Sequence, residues 1–132
     1  MLAVEPNVLL RLLVDDPQAH GRCDRARARV KDGERVYVPF VAVIEAIWVL
    51  RKSYRFSKKE ILTVFEQLLA NERYQIANGK VFGDALTSYS SVNVDFADCA
   101  IHAEAQQEGV GLLTFERKLE RLSGVGILRA RA

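Results

Sequence analysis

Four acidic residues at widely separated points of the chain each follow an apolar stretch or lie inside one. They are Glu5, Glu45, Asp98 and Glu116. A carboxylate is costly to desolvate unless positive charge lies close to it, and the simplest shared source of that charge is a hard divalent cation. Carboxylate oxygens are the ligands that Mg²⁺ and Mn²⁺ prefer. The four residues therefore indicate a metal site, provided that they meet in space.

The elements that would position these acids alternate between strands and helices. Short apolar runs predict strands at 2–4, 35–39, 74–76, 110–113 and 126–128. Apolar periodicity and capping signals predict helices at 7–14, 18–31, 41–54, 57–70, 79–89, 96–107 and 115–122. The capping signals include Pro6 in a first turn, a capping box of Ser57 and Glu60, and Gly109 after a helix end. This alternation is typical of an α/β domain in which helices cover a parallel sheet.

The strand order brings the acids to one edge of the predicted sheet. Glu5 and Glu116 come shortly after strands, whereas Glu45 and Asp98 lie near the starts of helices that follow strands. Sites in open α/β sheets gather beyond the carboxyl ends of the strands. We therefore expect all four carboxylates to converge there.

Each acid also has a simpler interpretation. Asp95 and Asp98 fit a helix cap and its partner three residues on. Glu45 could be a half-buried helix residue or pair with a basic side chain, and Glu116 could interact with the dipole of its short helix. Glu5 is harder to explain in this way because it ends a buried strand.

The residues around the acids resemble the PIN-domain nucleases, and more specifically the VapC-type toxins of toxin–antitoxin pairs. The resemblance covers nearly the whole chain and depends on four motifs in order. They are Glu5-Pro6-Asn7 with Arg11, Glu45 to Arg51, Asp95-Phe96-Ala97-Asp98, and Thr114-Phe115-Glu116.

This resemblance implies a single domain over residues 1–132 with a three-layer α/β/α fold and a central parallel sheet of four to five strands. It also implies an endoribonuclease that uses Mg²⁺ or Mn²⁺. Glu5, Glu45, Asp98 and Glu116 would be both the catalytic and the metal-binding acids. Auxiliary roles would fall to Asp95, an additional acid, and to Asn7 and Thr114, neutral groups that orient the acids or water.

Two positions depart from the family pattern, because Glu5 and Glu116 stand where aspartates are usual. One extra methylene moves a carboxylate outward by about 1.5 Å, and Mg²⁺ tolerates little displacement. An alternative is therefore a PIN-like module that binds RNA or protein through a weakened acidic site.

Partners also follow from the resemblance: an RNA substrate, a cognate antitoxin protein and a second copy of the chain in a homodimer. Trp48 could line the antitoxin groove or belong to the core, whereas core packing is favoured for Phe65. On helix 41–54, the apolar face is predicted to comprise Val41, Ile44, Trp48 and either Val49 or the aliphatic stem of Arg51.

Composition limits the classes of protein that fit this sequence. The chain has 132 residues, 49% of them hydrophobic, and a net charge of +2, which suits one globular domain. Apolar runs are too short to span a membrane and no secretory signal is recognised, so we expect a cytoplasmic protein with reduced Cys23 and Cys99. His102 is expected to be a solvated helix residue.

Basic residues cluster at 22–31, 51–59, 116–122 and 128–132. Each cluster could meet phosphates, or could simply be a solvated helix face. A phosphoacceptor domain is disfavoured because a single acid follows the first strand and no strand end presents a suitable lysine. A dinucleotide site is excluded because no glycine-rich turn follows that strand.

Overall fold

The structure, a computed structural model, describes residues 1–30 and 33–129. It contains two compact units, Met1–Gly79 and Lys80–Ala132. Every strand pair in either unit is parallel, so the predicted α/β class with parallel strands is confirmed. The predicted end of helix 18–31 and parts of the basic clusters at 22–31 and 128–132 lie outside the described residues.

The first unit contains a three-stranded sheet and four helices. Its strands are β1 (Leu2–Ala3), β2 (Val36–Val38) and β3 (Tyr74–Ile76), paired in the order β1-β2-β3. Its helices are α1 (Pro6–Leu13), α2 (His20–Arg29), α3 (Phe40–Lys52) and α4 (Lys58–Ala70), and a 3-10 turn covers Pro17–Ala19.

Local sequence signals start two of these helices. Pro6 occupies the first turn of α1, where its missing N–H costs nothing and its fixed φ suits a helix. Ser57 and Glu60 form the predicted capping box of α4, in which each side chain accepts a bond from the other residue's backbone N–H. Phe65 of α4 is fully buried, as predicted.

The buried face of α3 differs from the predicted one. Val41 and Trp48 are 72% and 56% exposed, so the predicted apolar face is not the face that the helix buries, and of the two alternatives for Trp48 the structure excludes core packing. The buried residues are instead Ala42, Val43, Ala46, Ile47 and Leu50. Apolar residues surround most of this helix, so its sequence carries little periodicity to indicate which side faces the core.

The second unit contains two helices and a parallel strand pair. Its elements are α5 (Gly79–Ser91, which begins at the boundary), α6 (Phe96–Gln107), β4 (Leu112–Thr114), a 3-10 turn (Arg117–Leu119) and β5 (Val125–Ile127). The ring of Phe96 packs edge-on against Phe82 and Tyr89 at centroid distances of 5.6 and 5.5 Å. Gly109 follows the end of α6 with φ +72°, as its sequence position predicted.

Three predictions for the second unit were wrong. Val110 and Leu113 are 58% and 65% exposed, so the apolar run at 110–113 is not a fully buried strand. The helix predicted at 115–122 is only the 3-10 turn Arg117–Leu119. His102 is buried, with Nε2 2.7 Å from the Ser123 carbonyl, because that carbonyl supplies the polar partner that a buried imidazole requires.

Cys23 and Cys99 are buried and are not joined by a disulfide. In the part of the chain that the structure describes, no helix is both long enough and apolar enough to cross a membrane.

Candidate acidic site

Glu5 lies at the carboxyl end of β1. The backbone N–H of Val4 donates to the Tyr37 carbonyl at 3.2 Å, so Glu5 is the first residue beyond the paired strand. Its Oε1 accepts from the Val8 N–H at 2.7 Å and caps α1. The Asn7 amide lies 3.5 Å from the other oxygen, Oε2. This predicted auxiliary residue is therefore next to the acid it was expected to orient.

Glu45 lies on the exposed side of α3, in the second turn after β2. Its carboxylate forms no ion pair within residues 1–30 and 33–129, so nothing there supports the alternative of a basic partner. Val41 and Trp48, four residues before and three after, share its helix face. Glu45 is consequently an acid on an exposed apolar surface.

Asp95 and Asp98 open α6, but not as a side-chain cap. Asp95 is the N-cap residue, yet its side chain makes no capping hydrogen bond. The Asp98 N–H bonds to the Asp95 backbone carbonyl at 3.1 Å instead. Capping by the Asp95 carboxylate therefore does not explain this pair, and both carboxylates remain available for other contacts.

The surroundings of Asp98 in the second unit disfavour its charged form. Partial burial raises the pKa of its carboxyl group, and the negative charges of Asp95 and Glu116 raise that pKa further. The structure thus brings Asp95 and Glu116 within electrostatic reach of Asp98. A cation beside them would relieve both the burial penalty and the repulsion.

Glu116 follows β4 and is held through two local bonds. Its N–H donates to the Thr114 hydroxyl at 3.0 Å, and its Oε1 accepts from the Lys118 N–H at 3.1 Å. Thr114, the second predicted neutral residue, therefore fixes the backbone of this acid. Glu116 caps the 3-10 turn.

Glu5 and Glu116, the two departures from aspartate, thus behave alike. In each, the longer side chain turns back and one carboxylate oxygen caps the turn that follows. The sequence did not suggest this role because aspartate, not glutamate, is the usual acidic cap. The extra methylene is used to reach a backbone N–H, so it does not simply push the carboxylate outward.

The donor chemistry of these residues fits a hard divalent cation. Carboxylates are hard oxygen ligands, and Mg²⁺ keeps several of its waters when bound to protein. None of the four predicted metal-binding acids forms an ion pair with Lys or Arg within the described residues. Among those same residues, however, no group of three or more His, Cys, Asp or Glu side chains stands ready to hold a metal.

A polar network in the first unit links Tyr54 to Arg11 and Asp16. The Tyr54 hydroxyl donates to Asp16 Oδ2 at 2.7 Å and accepts from Arg11 Nη1 at 2.9 Å. The Tyr54 bond is the main cause of the lowered pKa of Asp16, whereas burial, followed by Asp16, raises the pKa of Tyr54. These residues lie 38 and 43 positions apart, so no local pattern could reveal them.

Two comparisons relate this chain to known proteins. The PIN domain family matches residues 3–125 of the chain. A VapC ribonuclease from Aquifex aeolicus (strain VF5) is 26% identical over 91 residues, which cover 68% of this chain and 67% of that protein. The chain therefore belongs to the PIN domain family. The resemblance and the PIN-like fold class predicted from the sequence are confirmed.

Proposed function

We propose that residues 1–132 form one PIN-like domain that acts in the cytoplasm as a divalent-metal-dependent endoribonuclease, the toxin of a toxin–antitoxin pair. The observation that carries this proposal is that partly buried Asp98 feels the negative charges of Asp95 and Glu116, and that none of the three acids has a basic partner among the described residues. Likeness to a VapC ribonuclease supports RNA as the substrate.

Glu5, Glu45, Asp98 and Glu116 would hold Mg²⁺ or Mn²⁺, with Asp95 adding negative charge nearby. A bound cation of this kind supplies Lewis acidity for the attack of water on a phosphodiester. Asp98 is the strongest ligand candidate because burial and its neighbours make its charge costly without a cation.

The neighbouring groups would keep the acids oriented. Capping fixes one oxygen of Glu5 and one of Glu116 and leaves the other oxygen of each to face a ligand. The Thr114 hydroxyl restrains the Glu116 backbone, and the Asn7 amide lies beside Glu5. Such restraint lowers the entropy lost when carboxylates gather around a cation.

Cleavage of a panel of structured RNAs tests this proposal. We expect cleavage with Mn²⁺ or Mg²⁺, none with EDTA, and a loss of at least about 100-fold in Asp98→Asn because one charged ligand is removed. Glu66→Gln, which changes an exposed acid on α4, is the matched control and should cleave normally. Activity that survives both EDTA and Asp98→Asn would contradict the proposal.

A PIN-like binding module is the second candidate. The capping bonds of Glu5 and Glu116 favour it, because each occupies a carboxylate oxygen that could otherwise bind a metal. In that case RNA or protein would bind without being cut. The same panel separates the two functions, because a binding module gives retention of RNA without metal-dependent products.

We also propose an antitoxin partner and a homodimer. The support for a protein partner is the exposed apolar surface around Glu45, which includes Val41 and Trp48. An antitoxin that places a Lys or Arg near the acids would supply the positive charge in place of the metal. Co-purification of wild type with the product of the adjacent gene, and its loss in Trp48→Ala, tests this assignment.

A further inference from the structure

Two adjoining clefts lie along α2 in the first unit. Their volumes are about 420 and 500 Å³, and both are lined by Arg11, Arg22 and Arg25. Because they share these residues, we treat them as one feature, the arginine groove. The proposed cleavage chemistry does not use it.

The positive charge of the groove comes from one face of α2. Arg22, Arg25 and Arg29 are spaced three and four residues apart and all line the first cleft. Arg22 and Arg25 are exposed and form no ion pair in the described part of the chain. Arg27 lines neither cleft and pairs with Asp15 at 2.7 Å. Arg29 pairs with Glu34 at 3.3 Å, so the unneutralised arginines of α2 that line the groove are Arg22 and Arg25.

Arg11 adds a second donor to the groove. Its Nη1 bonds to Tyr54, but its buried Nε has no hydrogen-bond partner within the described residues. Because that Nε is buried, a ligand in the groove would meet the rest of the guanidinium, whose charge is partly offset by Asp16 at 3.8 Å. Arg11 belongs to the first family-like motif, yet nothing in the acidic site accounts for it.

One end of the groove lies beside Glu5. Asn7 lines the first cleft, and its amide is 3.5 Å from Glu5 Oε2. The groove then follows α2 from Arg29 to His20, which lines the second cleft. Nine residues of helix correspond to about 14 Å. The path is thus elongated, basic and connected to Glu5.

We infer that the arginine groove binds the sugar-phosphate backbone of the RNA strand next to the phosphodiester cleaved at the acidic site. An elongated anion fits better than a small one, because the arginines repeat along the helix. Phosphate contacts of this type set affinity and register without reading bases. This inference names the substrate contacts of the proposed ribonuclease and so depends on that function.

Binding of uncut RNA without metal tests the groove separately from cleavage. The probe is a fluorescein-labelled, mixed-sequence single-stranded RNA of roughly 12 nucleotides, within the range of known single-strand sites. Anisotropy is measured in EDTA from about 0.05 to 0.5 M salt. The variants are Arg22→Ala/Arg25→Ala and, should that pair unfold, Arg22→Gln/Arg25→Gln. The control is Arg27→Ala on the same helix.

Losing two phosphate contacts should lower the slope of log K against log salt by about 1.4, at roughly 0.7 per contact for a single strand. At about 0.1 M salt this corresponds to roughly 25-fold weaker binding. Arg27→Ala should bind within about twofold of wild type, because its guanidinium already pairs with Asp15.

Unchanged affinity and slope in the double variant would overturn the inference even if wild type cleaves RNA. Arginine-dependent RNA binding by a protein that cleaves nothing would support the groove and reject the proposed ribonuclease. Poly-glutamate of matched charge that displaces the RNA equally well would reject RNA as the occupant and favour an acidic peptide.

Discussion

Replacing Tyr54 by Phe tests whether the buried polar network holds the helices that carry Glu5 and Glu45. The Tyr54 hydroxyl links Arg11 on α1 to Asp16, and Tyr54 itself follows α3 closely. The helices α1 and α3 pack together, and Glu5 caps α1 whereas Glu45 lies on α3. Loss of the hydroxyl should therefore loosen the support beneath both acids.

The expected magnitude follows from the two bonds that are lost. Hydrogen bonds to charged groups contribute about 1.5–3 kcal/mol each. The Arg11 and Asp16 side chains are 14% and 20% exposed and stay 3.8 Å apart as an ion pair, so solvent and that pair offset part of the loss. We expect Tyr54→Phe to lower the free energy of unfolding by about 2 kcal/mol, or Tm by roughly 6–10 °C for a domain of this size.

Thermal unfolding followed by circular dichroism measures this change. Tyr37→Phe is the matched control, because the Tyr37 hydroxyl makes no hydrogen bond within the described residues, and it should shift stability by less than about 0.5 kcal/mol. Equal Tm values for the two variants would refute the reasoning.

The pH dependence gives an independent check of the same network. Folding lowers the pKa of Asp16 below its ordinary value of 3.8, chiefly through the Tyr54 bond. The resulting stabilisation is present above pH 3.8 and is lost as pH falls through the lower folded pKa, since the unfolded carboxylate then takes up the proton first. In Tyr54→Phe, the loss of stability as pH falls should be smaller, because Asp16 no longer has the Tyr54 bond.

Three further predictions concern stability and exposure. Without metal, Asp98→Asn should raise Tm at pH 7 relative to Glu66→Gln. This gain in Tm should fade as pH drops through the raised pKa of Asp98. An unchanged or lower Tm at pH 7 would contradict this prediction. Ser57→Ala should cost about 1 kcal/mol in chemical denaturation by removing a cap, whereas Ser53→Ala should not. Emission from Trp48, the only tryptophan, should be readily quenched by acrylamide and shift to the blue when an antitoxin binds; strong protection in the free protein would refute its exposure.

Local signals made much of this fold predictable. Pro6, the Ser57–Glu60 box and Gly109 act on the turn in which they lie, and each begins or ends its helix as expected. The strand-end rule likewise placed Asp98 and Glu116 near each other, and their electrostatic coupling agrees with it.

The sequence could not reveal properties that depend on distant residues. Trp48 and Leu113 are exposed although both stand in apolar runs, because burial is decided by which face another element covers. His102 is buried because Ser123, 21 positions away, offers its carbonyl. The capping by Glu5 and Glu116 depends on how far a longer side chain turns back, which residue type alone does not specify.

The central claim is that the acids around Asp98 act as one metal site, and a double-mutant cycle of Mn²⁺ binding tests it most directly. Mn²⁺ affinity is measured calorimetrically for wild type, Asp98→Asn, Glu116→Gln and the double variant. Each single change should weaken Mn²⁺ binding by about 10-fold or more. The double variant should lose much less affinity than the product of the two single losses, because one lost ligand already disables a shared site. Fully independent losses, or unchanged Mn²⁺ binding in either single variant, would contradict a shared site.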